Sequence, residues 1–382
     1  MPSASGQRTA LRFTSEASFG VAASTTFKAL RFTNTGLNLS KANYQSNEIR
    51  ADRHLSDLRH GMVSVGGDIG VELSLGTFDD LLEAALSGTW GTATTGSVSL
   101  SADAATGTLV RTAGSFLEDG FLPGDQVLVS GFVEAGNNGR ARVEAVTALA
   151  LTVDRALVDD VAAAGRTVAL VGRRLKSGTV LKTFSFERAF TDIHQYALYR
   201  GCAVDSLKLS IKPEEIITGT FTLLGKDMQL DTVSHAATVT PPGTNSPFDA
   251  FTGSLREGGQ LVANVTSLDL DITNGRSTKG VIGQRSATEI HEGGFGVSGT
   301  LSAYFMGQEL LAKFLDEAES SLEVVLLDVN GTDFHTLRIP RLKYTGGELD
   351  NPKEGPVQVS MPFTAILDSA SGASILYQRS NA

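Results

Sequence analysis

Residues 67–88 read GDIGVELSLGTFDDLLEAALSG, and two periods meet inside them. Ile69, Val71, Leu73 and Leu75 alternate with polar or small residues, the period of a half-buried strand. Phe78, Leu81, Leu82, Ala85 and Leu86 then fall at i, i+3, i+4, i+7 and i+8, the stripe of a helix with one apolar face. No loop of any length separates the two. From Gly299 the chain reads GTLSAYFMGQELLAKFLDEA. There, alternation at Leu301, Ala303 and Phe305 gives way to a helical stripe at Leu310, Leu311, Phe314 and Leu315. The same change of period occurs twice, in the same order.

Around these two junctions the signals are those of strands. Alternating runs rich in Val, Ile, Leu, Phe and Thr, bounded by Gly, Asn and Asp, predict strands at 29–39, 64–75, 182–187, 206–211, 218–224, 267–273, 297–305, 322–328, 336–339 and 357–365. The fold class is therefore mainly β, largely antiparallel, with one short helix in each half to cover a sheet face.

The recurrence extends beyond the helices. Gly67, Ile69, Val71 and Leu73 match Gly299, Leu301, Ala303 and Phe305, and Leu81-Leu82, Ala85-Leu86 match Leu310-Leu311, Phe314-Leu315. Upstream, LRFTNTGLNLS and VTSLDLDITNG each offer a strand; downstream, Pro213/Glu215 and Pro352/Glu354 each form a Pro-x-Glu turn before an outgoing strand. Four elements in one order point to a duplicated domain. A segment after the first helix has no counterpart in the second half, and its GTLVRTAG, DQVLVSGF, RARVEAVTALALTVD and RTVALVG runs are themselves β. Its turns are marked by Pro123-Gly124-Asp125 and Asn137-Asn138-Gly139, and it reads as a small barrel or sandwich grafted into a surface loop. The expected organisation is a first domain at 1–91 and 177–240, an insert at 92–176, a Pro-rich linker at 241–250 and a second domain at 251–382.

Composition narrows the classes of function. The net charge of −10 disfavours a chain whose main task is binding nucleic acid, because that affinity comes from neutralising phosphates with Lys and Arg. Cys202 is the single cysteine, so no disulfide framework exists and a buried, inert thiol is expected. MPSASGQRTALRF carries no apolar signal core, and no run approaches the roughly 18 apolar residues of a membrane helix. A soluble chain made in a reducing cytoplasm, without membrane insertion, is the expectation.

Catalytic patterns are missing. His54, His60, His194, His235, His291 and His335 are scattered and fit no zinc spacing. Gly294, Gly296 and Gly299 spell a dinucleotide fingerprint, yet they open a strand, which leaves no helix N-terminus for a pyrophosphate. There is no P-loop and no GxSxG elbow. Asp79-Asp80 suit the first turn of a helix, where acidic residues meet the positive end of the dipole. The reading is of a non-enzyme without cofactor, metal or catalytic residues.

One polar segment asks for a role. NEIRADRHLSDLRH at 47–60 carries Arg50, Asp52, Arg53, Asp57 and Arg59 in mixed sign. It is either a solvated loop or an arm that docks on another subunit, where alternating charge fixes register more than it adds affinity. The second half places GRSTKGVIGQRSATEIHEGG at the matching point, with Arg276, Arg285 and Glu289. These eight residues are the candidate inter-subunit contacts.

With these residues in view, the chain resembles the tail tube proteins, or major tail proteins, of bacteriophages with long non-contractile tails (siphophages). The resemblance rests on FKALRFTNTGLNLSKANYQSNEIRADRHLSDLRHGMVSVGGDIGVELSLGTFDDLLEAAL in the first half. In the second it rests on VIGQRSATEIHEGGFGVSGTLSAYF, KFLDEAESSLEVVLLD and LRIPRLKYTGGELDNPKEGPVQVSMPFTAILD. It covers all but the insert, whose GFLPGDQVLVSGF and NNGRARVEAV resemble extra β modules carried by such proteins. The resemblance implies β-sandwich domains, each flanked by a short helix, whose sheets join around a ring and line a channel without free strand edges.

It further implies a virion structural protein that self-assembles in the host bacterial cytoplasm into stacked rings, a conduit for DNA ejection. Two tube domains per chain would close a pseudo-hexameric ring with three copies; if the second half is not a true tube domain, six copies are expected. DNA would pass an acidic lumen without specific binding. Implied partners are the chain itself, a tape-measure protein, a tail terminator and baseplate or tip proteins, and the insert would project from the tube exterior. Alternatives with the same architecture are a tube protein of a phage-derived bacteriocin and a tail-terminator ring protein. A carbohydrate-binding sandwich is disfavoured by 7% aromatic content and the lone Trp90.

Overall fold

In the computed structural model, which describes residues 3–328 and 331–381, the strand Leu58–Glu72 runs into helix α1, Asp79–Leu86, through a short turn. The change of period at Leu75 is thus a change of element. Ile69, Val71, Leu73, Leu75 and Phe78 are all buried, as is every helical residue from Leu81 to Leu86. The Phe78 ring meets Phe221 at 6.3 Å between centroids, which anchors the helix to the strand beside Leu58–Glu72. Asp79 and Asp80 occupy the first turn, and Asp80 Oδ2 pairs with Lys28 Nζ at 2.5 Å.

The protein is mainly β, with two α-helices among the described residues. It divides into two compact units: Met1–Gly88 with Thr179–Ala250 and Thr266–Leu301, and Thr89–Gly178 with Phe251–Val265 and Ser302–Ala382.

The first unit is organised by one long strand, Gln195–Ile211, which serves two sheets. Its first half pairs with Phe184–Phe190 on one side and Asp227–Asp231 on the other. From Phe184–Phe190 that sheet continues through Thr9–Ser18 to Thr26–Leu30, with Phe13 opposite Phe186. The second half pairs with Thr218–Gly225 and with Val265–Thr273, placing Leu207 opposite both Phe221 and Ile272. That second sheet extends through Leu58–Glu72, where Ile69 faces Phe221, and ends at Asn38–Gln45. Both faces of Gln195–Ile211 are buried near Cys202, Ala203 and Val204, so no alternation marks that stretch. The expected strand at 206–211 is the part that alternates. Helix α1 packs on this strand. The Cys202 thiol is buried, and burial pushes its pKa well up, as expected of an inert core cysteine.

In the second unit, six strands between Val98 and Leu170 close into a barrel in the order Gln126–Ser130, Gly139–Val146, Ala150–Val153, Thr108–Arg111, Val98–Asp103 and Asp160–Leu170. Closure leaves no free edge. The interior holds Leu100, Leu109, Val127, Val143, Leu151 and Val168. The C-terminal sheet of this unit places Glu319–Leu327 between Ser254–Glu257 and Phe334–Tyr344. Phe334–Tyr344 then pairs with Leu376–Arg379 by its first half and with Gln358–Ala365 by its second.

Polar groups tie barrel to sheet. Gln378 accepts from the Gln126 N–H at 2.9 Å and donates to the Gln126 and Val171 carbonyls at 2.8 and 2.9 Å. Arg174 meets Asp125 at 2.5 Å, and burial still pushes the Asp125 carboxyl up. Helix α2, Glu309–Leu315, follows the strand Gly296–Tyr304 as the sequence predicts, but it differs from α1 in packing: it has no buried residue. Leu310, Leu311 and Phe314 are half-buried, and Leu315 is exposed.

Candidate functional site

The charged segment 47–60 lies at the tip of a hairpin formed by Asn38–Gln45 and Leu58–Glu72. Asn38–Gln45 is a sheet edge, and only Leu39 on it is even half-buried. The hairpin holds its shape beyond the core by local means. Tyr44 lies over Gly61, where a Cβ would stand 2.1 Å from the ring, and His60 Nδ1 bonds Asn43 Oδ1 at 2.7 Å. The Ser46 N–H donates to the Asp57 carbonyl at 3.0 Å and closes the tip.

Within the tip the candidate charges pair with one another. Arg50 grips Asp52 with two bonds of 3.0 and 2.7 Å, and Arg59 Nε meets Asp57 Oδ2 at 2.8 Å. These partners hold the Asp52 and Asp57 carboxyls below the usual range. Arg53 has a left-handed φ of 59° and donates its N–H to the Arg50 carbonyl, which turns the tip. Self-paired charges of this kind shape a loop more than they stabilise it.

Apolar residues are interleaved with this charge, and the charge pattern alone does not single them out. Tyr44, Ile49, Leu55 and Leu58 are exposed, Ile49 to 98%. No period marks them, so the available signal was only their presence in a segment too polar to be core. All four lie on this one hairpin.

The second candidate segment, 276–293, returns to the same hairpin. The Val63 N–H donates to the Arg285 carbonyl at 2.7 Å, and Val63 and Ser286 form a parallel bridge. Val281 and Ile282 are exposed here, Ile282 fully. A short ladder, Ser277–Thr278 with Ile290–His291, closes the segment at its base. Arg285 and Glu289 are exposed, and Glu289 lines a cleft of about 640 Å³ together with Phe19, Asp80, Leu181 and Lys182. The structure thus sets the second segment against the strand of the hairpin that carries the first.

Arg276 is placed differently from the other seven. Its side chain is fully buried and faces the end of α1. There it donates to the carbonyls of Val204 and Ala84, to the latter at 3.3 Å, and to Ser87 Oγ at 2.7 Å. Asn274 donates to the Ala85 carbonyl at 2.9 Å beside it. The last carbonyls of a helix need donors and favour positive charge, and Arg276 supplies both.

Among the described residues no group of three or more His, Cys, Asp or Glu could hold a metal ion, and no helix is long and apolar enough to cross a membrane. The strand Gly296–Tyr304 begins at the second glycine of the fingerprint-like run. What the hairpin offers is a strand edge unpaired among the described residues, interleaved apolar side chains and preformed charge pairs.

A family model described as Phage tail tube protein matches residues 6–365 of the chain. No curated protein matches it.

Proposed function

The chain belongs to the phage tail tube protein family, a family of structural virion proteins, and we propose that its copies associate into rings that stack as a conduit for DNA. The observation that carries this reading is the hairpin of Asn38–Gln45 and Leu58–Glu72, whose outer edge is unpaired among the described residues, with its exposed Tyr44, Ile49, Leu55 and Leu58. An unpaired edge is completed by a strand of a neighbour, and joining edges around a ring leaves none free. Permanent contacts of this kind bury on the order of 2,000 Å² or more, which apolar side chains at the tip help to supply. Head-to-tail stacking is a heterologous contact that does not close, so it gives a filament.

Three copies per ring, with two related domains each, make up the pseudo-sixfold plan we favour; the recurrence of a strand leading into a helix at α1 and α2 supports it. The family is that of a long-tailed, non-contractile phage on this reading, assembly takes place in the host cytoplasm, and the barrel lies outside the channel. A net charge of −10 suits a lumen that repels phosphate. Length and ends are set by other proteins, of tape-measure, terminator and tip type. Negative-stain microscopy of the purified chain over a concentration series tests the assembly, with stacked rings expected. A single compact particle at every concentration would overturn it. A tube cross-section with six identical domains, one per chain, would overturn the trimer alone.

A further inference from the structure

In the C-terminal sheet of the second unit, Glu323 is the register partner of Arg256 on one neighbouring strand and of Arg338 on the other. Directly opposed residues share a face of the sheet, so the row reads Arg–Glu–Arg. The carboxylate is nevertheless engaged by a third arginine. Arg142, from the barrel strand Gly139–Val146, takes both Glu323 oxygens, at 2.7 and 2.5 Å. That fork-to-fork geometry satisfies one guanidinium and leaves the two that flank the carboxylate without it.

Their positions show the consequence. Arg256 makes one long bond, to the Gly259 carbonyl at 3.4 Å. Arg338 has no hydrogen-bond acceptor, and neither side chain has a carboxylate within 4.0 Å, among the described residues. Arg338 lies across Gly124, where a Cβ would stand 2.7 Å from its Cδ and Nη1, so the barrel turn seats it firmly. Burial lowers its pKa, although the more distant carboxylates of Glu323, Asp125 and Asp368 act in the opposite sense. Between the arginines is a pocket of about 250 Å³, lined by Pro123, Arg142, Glu144, Arg256, Ser321 and Arg338 among others. With Arg142 and Glu323 neutralising each other, two guanidinium groups face one exposed carboxylate, that of Glu144. The volume is below that of pockets for drug-sized ligands.

We infer that this pocket is a binding site for a small oxyanion, a phosphate ion or a carboxylate, held by Arg256 and Arg338 with Ser321 at its rim. Guanidinium forks match the paired oxygens of both groups. The ion comes either from solution or from an acidic side chain of another copy, and it secures the barrel against the sheet at the point where charge is in excess. The site is independent of the tube reading, since it lies within a single unit of one chain.

The test uses the full chain. Inorganic phosphate and acetate are titrated separately at constant ionic strength, with chloride as the balancing ion, and followed by thermal melting. A saturable rise in melting temperature above the chloride control is expected for phosphate. Arg256→Gln and Arg338→Gln should each weaken it roughly tenfold or more, the loss of one charge-assisted contact. Arg338→Gln removes a half-buried cation that has no hydrogen-bond acceptor, so this variant should fold, and Arg256→Gln changes a second half-buried residue as a check. Saturation with sedimentation unchanged by either variant assigns a free ion as the source. Saturation accompanied by loss of self-association in Arg338→Gln assigns an acidic side chain of another copy. The inference is overturned if neither anion exceeds chloride, or if both variants respond as the parent chain does.

Discussion

Arg276 Nη2 donates a hydrogen bond to Ser87 Oγ at 2.7 Å and so ties the end of α1 to a residue 189 positions further along the chain. Ser87 holds a left-handed φ of 50°, which turns the chain out of the helix and presents its hydroxyl to both Arg276 and Asn274. The cap comes from a distant segment because α1 has no basic residue in its own last turn.

Arg276→Met should therefore destabilise the first unit by about 3 kcal/mol, since it removes at once the charge-assisted bonds to the Val204 and Ala84 carbonyls and to the Ser87 hydroxyl, and leaves them only weaker or neutral partners. Arg285→Met, at an exposed position in the same segment, should change stability by no more than about 0.5 kcal/mol. Urea unfolding of the unassembled chain measures both. Equal effects from the two substitutions would show that the cap carries no weight.

The opening stretch contains a second test, in its first glycine. Gly67 has φ +145°, and a Cβ there would stand 2.2 Å from the Gly36 carbonyl oxygen. Backbone on both sides leaves nothing that can give way. Gly67→Ala should cost about 3 kcal/mol or more, or prevent folding. At the adjacent Gly66 the nearest atom would be the Leu223 carbonyl oxygen at 3.7 Å, an ordinary contact. Gly66→Ala should be neutral or slightly stabilising, by up to about 1 kcal/mol. Melting temperatures of the pair decide it, and a reversed order would contradict the backbone geometry.

What could be read from sequence depended on whether one face or two were buried. Ile69 to Leu75 alternate because one side of that strand meets the core, and the helix after it shows its stripe for the same reason. Gln195–Ile211 is buried on both faces in its middle, so only its alternating end was legible. Asn38–Gln45 had no apolar pattern because it is an exposed edge, and it is this edge that frames the candidate surface. The repeat motif gave α2 the same apolar stripe as α1, but a stripe does not report how deeply it is covered, and the two helices differ in that respect. Arg276 stood among charges of mixed sign, and nothing local distinguishes a buried cap from a docking residue. That distinction requires the position of Ser87.

The arm residues separate folding from assembly. Ile49 and Ile282 are exposed to 98% and 102%, so Ile49→Asp and Ile282→Asp should leave the melting temperature of the unassembled chain unchanged within about 1 °C. On the proposed function they place a charge where a neighbour must bury apolar surface, and the double variant should stay unassembled at concentrations where the parent chain forms rings. Sedimentation velocity over a dilution series reads this directly. Assembly of the double variant at parental concentrations would remove these tips from the interface.

The pH dependence of stability carries a contribution from His335 in the second unit. Its imidazole is fully buried, its Nδ1 pairs with the Tyr377 hydroxyl, and burial, together with the charge of Arg379, lowers its pKa to about 3. In the unfolded chain the same group titrates near 6.5. Above that value both states hold a neutral imidazole, and the group adds no pH dependence. As pH falls from about 6.5 towards 3, the unfolded state takes up a proton that the folded state refuses, so stability is lost at up to about 1.4 kcal/mol per pH unit. Below about 3 both states are protonated and the loss stops growing. Carboxylates titrate in part of the same window, so the comparison must be between slopes. His335→Phe should lower stability at pH 7, because the Tyr377 hydroxyl loses its imidazole partner, yet its stability should fall less steeply between pH 6.5 and 5 than that of the parent. His335→Gln keeps a hydrogen-bonding group beside Tyr377 and should show the same shallower slope from a higher starting point. Urea midpoints at intervals of pH measure the three chains together. Parallel curves would mean that His335 is charged in the folded protein, or that acid loosens the second unit before this histidine comes into play.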